Sequence, residues 1–148
     1  MKKSDFDYDI NDLQTLVSRT AYSYKRASKQ YDDLLDGWND LGRRHFNGEV
    51  SFGVQEGATV VSGVVCGKRF SIHPVMHYRG NEALLEARIV VPEPAPDREV
   101  VVGSFLVAQN GAIYTPDGEA ILSNTDDWRE YKLLAAVVRR VLGITTAE

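Results

Sequence analysis

From Ile10 to Leu41 the chain repeats with a period of seven, and no other feature limits its fold as tightly. One series is Ile10, Val17, Tyr24, Tyr31 and Trp38; the other is Leu13, Thr20, Ala27, Leu34 and Leu41. These are the a and d positions of a heptad held for more than four repeats, which predicts an amphipathic helix. Asp9 is placed to cap it, and Asp12 sits in the first turn, where the helix dipole favours acids. Unbroken to Leu41, such a helix would be about 48 Å long at 1.5 Å per residue. Gly37 is its weak point, since glycine inside a helix costs about 1 kcal/mol relative to alanine. Gly42 is the expected stop, so the predicted helix spans residues 9–42.

The charges refine this picture. No charged residue occupies a, d, e or g between Ile10 and Gly42. A two-stranded coiled coil usually carries Glu and Lys at e and g. A broad uncharged face suits packing on a sheet, but a helix this long outruns strands that are typically ~17–20 Å. Part of the face is therefore expected to need another chain. The outer face is banded: Arg19, Lys25, Arg26 and Lys29 are followed by Asp32, Asp33, Asp36 and Asp40, then by Arg43 and Arg44. Such bands are either a solvated surface or a strip that gives an antiparallel partner its register.

After "RRHFNGE" the period changes to two. The runs "EVSFGVQ", "ATVVSGVVC", "RFSIHPVMHY", "ALLEARIVV", "EVVVGSFLVA" and "AIYT" follow one another across short turns, Asn110-Gly111 being the strongest hairpin signal. Turns so short force antiparallel neighbours, because a parallel crossover needs a dozen or more residues. The expectation is a six-stranded meander within residues 49–122. "PEPAPDR", Pro92 to Arg98, is expected to be a rigid hairpin loop or a projecting recognition loop. A last helix is predicted over residues 125–143. Asn124 or Thr125 caps it, Asp126 and Asp127 fill its first turn, and Trp128, Tyr131, Leu134, Ala135, Val138, Val141 and Leu142 form its apolar stripe. Gly143 ends it. The whole reads as one α+β domain, residues 1–148, with the C-terminal helix packed on the sheet.

Composition limits function more by exclusion. With 17 Lys and Arg against 21 Asp and Glu, the net charge of −4 disfavours a nucleic-acid partner. One cysteine, Cys66, cannot form an intrachain disulfide and suits a reducing compartment. "MKKSDFDYDI" lacks the apolar region of a signal peptide, and no window is long and apolar enough to span a membrane. A cytoplasmic protein is expected.

Catalytic constellations are scarce. His73 and His77 lie four apart, a good ligand spacing on a helix. On a strand their Cβ atoms stand roughly 13 Å apart at ~3.3 Å per residue, too far to share one ion. They would share a polar sheet face with Arg69, and only a bulge or bend at Pro74 would bring them together. No metal or cofactor is expected. An isolated cysteine is more often a small buried hydrophobe than a nucleophile. The aromatic residues of the first third point to binding instead. Tyr22, Tyr24, Tyr31, Trp38, Arg19 and Arg26 are the candidate partner contacts, Tyr22 lying on the charged face among bases.

Three functions remain. The first is a non-catalytic protein-interaction module, self-associating as a homodimer through the long helix or docking on another protein as an inhibitor or immunity-type binder. The second is a carrier of small apolar ligands. The meander and last helix resemble helix-grip proteins over the last two-thirds of the chain, although one long helix stands where that pattern has a strand and two short helices. The third is a small enzyme using His73, His77 or Cys66.

Overall fold

The computed structural model describes residues 1–54 and 60–144. A 3-10 turn, Lys3–Phe6, leads into helix α1, Ile10–Asp36. Asp9 caps α1 as the sequence predicts: its carboxylate accepts from the N–H of Asn11 at 2.9 Å and of Asp12 at 3.1 Å. Gly37 ends this helix, and a second, α2, runs from Trp38 to His45. Nothing lies within 4 Å of where a Gly37 side chain would stand. The break therefore reflects glycine's poor helix propensity, not crowding. The expected stop at Gly42 is not observed. Gly42 lies inside α2, buried, where an added Cβ would strike the carbonyl oxygen of Val50. Its missing side chain serves a close approach of helix to strand.

Seven strands form one antiparallel sheet in sequence order. They are β1 Val50–Val54, β2 Val61–Val65, β3 Lys68–Arg79, β4 Glu82–Pro94, β5 Asp97–Val107, β6 Ile113–Tyr114 and β7 Ala120–Leu122. The α+β meander follows the reading of the sequence, with one strand more than the six expected. The additional strand, β7, has three residues and pairs with one of two, too short for alternation to show. The turn expected between "EVSFGVQ" and "ATVVSGVVC", at Glu56-Gly57, lies outside the described residues. At the Asn110-Gly111 turn only Gly111 takes a positive φ, of 88°. The Asn110 side chain instead accepts from the N–H of Ala112 at 3.0 Å.

The proline-rich segment departs from expectation. Pro92 and Pro94 belong to β4, opposite Glu99 and Asp97 of β5, so the turn shrinks to Ala95 and Pro96. Pairing of β4 with β3 ends at Val90, and past it β4 has a strand on one side only. A residue without an N–H costs little on such an edge. Arg98 and Glu93 close the hairpin with a 2.8 Å ion pair.

The last helix, α3, spans Arg129–Leu142. It starts later than expected, because Asn124 to Asp127 form a turn in which Asp126 accepts from the N–H of Ser123 at 2.8 Å. Trp128 is left as the N-cap in the left-handed region, φ 61°, and is exposed rather than part of the stripe. Arg129 is buried in its place, donating to the Ser123 carbonyl at 3.0 Å. Leu133 and Val137 complete the buried face. Gly143 ends α3 as predicted, its N–H and that of Ile144 returning to Arg140 and Arg139.

Both long helices cover the same sheet face. The core joins Ala27, Tyr31, Leu34 and Trp38 to Val65, Phe70, Ile72, Leu85, Ala87 and Val107, and to Leu134, Val137 and Val141 of α3. Each fully buried aliphatic side chain there stabilises the fold by about 1.5–3 kcal/mol. Trp38 packs on Phe52 at 5.2 Å between ring centroids, and Phe52 meets Phe70 edge-on at 5.5 Å. Asn39, beside Trp38, makes a two-way contact with β1. Its amide donates to the Phe52 carbonyl at 2.8 Å and accepts from the Phe52 N–H at 2.7 Å.

Candidate interaction surface

The heptad stripe of α1 serves two environments. Its C-terminal half, from Ser23 onward, lies on the sheet, chiefly on β4. The junction is a single hydrogen bond: the N–H of Ala83, at the start of β4, donates to the Ser23 hydroxyl at 3.0 Å. Before Ser23 the helix runs past the β3–β4 turn, Thr20 is half-buried, and the earlier stripe positions are exposed. Ile10 is 65% exposed, Leu13 41% and Val17 59%, and Phe6 and Tyr8 just before them are 68% and 58% exposed. A 27-residue helix is about 40 Å long, well beyond the width of sheet it crosses.

The aromatic contacts expected from the sequence divide along the same line. Tyr31 and Trp38 are core residues, covered by this chain's own sheet. Burial pushes the Tyr31 hydroxyl well above the ordinary tyrosine range, with the Asp32 carboxylate and Tyr24 adding to it. The Tyr31 hydroxyl and the Trp38 indole N–H are buried without a hydrogen-bond partner among the described residues. Tyr24 is half-buried against the core. Tyr22 does face solvent. The guanidinium of Arg26 lies 5.6 Å from its ring centroid and donates to its hydroxyl at 3.4 Å. Arg19 is exposed one turn away. The acidic band is partly engaged with its own chain: Arg44 pairs with Asp40 at 3.1 Å. Burial, and then the neighbouring Asp33, raise the Asp32 carboxyl above the usual carboxylate range.

Sequence reasoning weighted the aromatic residues and thereby missed the exposed part of the strip. The aromatic a positions, being large, fill the space over the sheet. The smaller Ile10, Leu13 and Val17 are the ones left outside. Their signal was present in helix length: the a and d series begins well before any strand could lie beneath it.

The polar sheet face is on the side away from the helices. Arg69 is exposed there, and Ser71, His73, Val75 and His77 are half-buried. Pairing of β3 with β4 is unbroken from Ser71 to Arg79, so Pro74 makes no bulge. Among the described residues, pairing of β3 with β2 ends at Ile72, which leaves Pro74 beyond the neighbour that would have needed its N–H. The sheet's register shifts lie elsewhere: between Ile89 and Val90, where β5 carries an additional residue, and between Ile113 and Tyr114, where β7 does. His73 Nε2 hydrogen-bonds Ser71 Oγ at 2.9 Å. His77 Nδ1 stands 4.0 Å from Glu86, which also takes a 3.2 Å contact from Arg88. The two histidines thus have separate partners. Among the described residues no three His, Cys, Asp or Glu side chains gather to hold a metal ion. Cys66 is exposed in the β2–β3 turn.

A groove of about 610 Å³ opens across the β1–β3 end, lined by Phe52 and Phe70 but also by Ser51, Ser62, Arg69, Ser71 and Glu99. It is an open groove that mixes apolar and polar side chains, not an enclosed cavity. Among the described residues no helix is long and apolar enough to cross a membrane. No protein-family model matches this chain, and neither curated proteins nor solved structures gave a significant match.

Proposed function

We propose that this chain is a non-catalytic protein-interaction module that self-associates through the exposed N-terminal part of α1, in a reducing compartment such as the cytoplasm. One observation carries the reading: Ile10, Leu13 and Val17 continue the stripe whose later members Ala27, Tyr31, Leu34 and Trp38 are buried, yet among the described residues these three stay exposed. Scattered surface hydrophobes are normal, but an aligned row on a rigid helix is the pattern of helix-mediated contacts. The exposed thiol of Cys66 agrees with a reducing setting.

Sedimentation analysis from low to high micromolar concentration tests this. The expected result is a concentration-dependent dimer that Val17→Asp abolishes without loss of helicity. A wild-type chain that stays monomeric throughout would end the self-association reading. The acidic composition also suits an inhibitor or immunity-type protein, in which the same strip would dock on a different chain.

A further inference from the structure

The charges around the exposed strip are divided about its middle. Residues 4–15 contain Asp5, Asp7, Asp9 and Asp12 and no base; residues 15–26 contain Arg19, Lys25 and Arg26 and no acid. Lys2 and Lys3 lie beyond the acidic half. The exposed strip runs from Ile10 to about Thr20, with Leu16 and Thr20 already half-buried and Ser23 the first fully buried position. Thr15 is at the centre of both patterns.

Resting on the self-association proposed above, we infer that the partner is a second copy of this chain lying antiparallel, with the two-fold axis at Thr15. In that register Ile10 of one copy meets Thr20 of the other, and Leu13 meets Val17, so a positions face d positions. Both copies bury the same patch, as a closed two-fold interface requires. The acidic half of each copy runs along the basic half of the other, with Asp12 and Arg19 at nearly the same level on one flank of the pair. A parallel pair would set acid on acid and base on base, which costs free energy at every rung. An axis farther along α1, matching Arg19–Lys29 to Asp32–Asp40, is closed off because that part of the stripe lies on the chain's own sheet. The strip is short against the ~800 Å² per partner of a standard interface. The charges therefore set orientation, and the dimer is weakened by salt.

Disulfide trapping tests the geometry. In a Cys66→Ser background, Ile10→Cys and Thr20→Cys are made as single variants and oxidised separately and mixed. Identical positions at the ends of the antiparallel strip are about 15 Å apart, beyond disulfide reach. Covalent dimers should form in the mixture and not from either variant alone. Each variant linking to itself would overturn the antiparallel arrangement while leaving self-association standing. Sedimentation showing only monomer would overturn both. Charge exchange is the second arm. Asp12→Lys and Arg19→Glu should each raise the dimer dissociation constant about two- to thirtyfold, since symmetry makes two pairs per dimer. The double variant should restore it. A dissociation constant unmoved by either change would overturn the electrostatic register.

Discussion

Tyr31 shows how a single atom sets a pH limit. Its hydroxyl is buried and has no hydrogen-bond partner among the described residues, and burial raises its pKa far above the ordinary value of 10.0. The unfolded chain can release this proton above pH 10, whereas the folded chain holds it. Stability is therefore fully present below that pH and declines as pH rises past it. Tyr31→Phe is expected to flatten the alkaline decline, measured as urea midpoints at pH 9 to 11, with little change at neutral pH. A variant as alkali-sensitive as the parent would show that Tyr31 is not the limiting group. Gly42 sets a steric limit of a different kind. Gly42→Ala should lower stability by about 1–3 kcal/mol, because the methyl group meets Val50 backbone that has no rotamer to yield. Gly37→Ala is its control: the site is open and its φ of −94° suits any residue, so it should be stabilising by up to about 1 kcal/mol.

Among the elements, α1 passes from solvent to sheet, and Ser23 marks the boundary. Its hydroxyl satisfies the Ala83 N–H at the first rung of β4, a group that would otherwise be buried and unpaired. Ser23→Ala should cost about 1–3 kcal/mol and speed amide hydrogen exchange at Ala83, while the more exposed Thr15 tolerates replacement. The helix and most strands could be read from the chain because their periods of 3.5 and 2 extend over many residues. Asp9 and Gly143 could be read because capping is local chemistry. What was not legible depended on distant neighbours. Gly42 reads as a helix stop until Val50 is seen behind it. Trp128 reads as core until Arg129 turns out to occupy that place. Pro92 and Pro94 read as loop because the end of β4's pairing with β3 is invisible in sequence. The candidate surface followed the same rule: the stripe was evident, but which half the sheet would cover was not.

At the scale of the whole molecule, the sheet is a meander in which every strand pairs with its sequence neighbour, and α1 and α3 lie on one face. The association proposed through α1 would add nothing to that core and would leave it intact on dissociation. Mass action then links stability to concentration: the melting temperature should rise with protein concentration at low salt and lose that dependence at high salt. A melting temperature independent of concentration in both conditions would separate the fold from any dimer. An open meander also has two edges. β1 is one of them, and at its centre the Asn39 amide occupies both outward-facing backbone groups of Phe52. A side chain there imitates one rung of an eighth strand and denies that rung to a stranger's backbone. Asn39 is thus a guard against aggregation more than a source of folding energy. Asn39→Ala should lower the melting temperature modestly but markedly hasten the rise of light scattering in concentrated samples held below it.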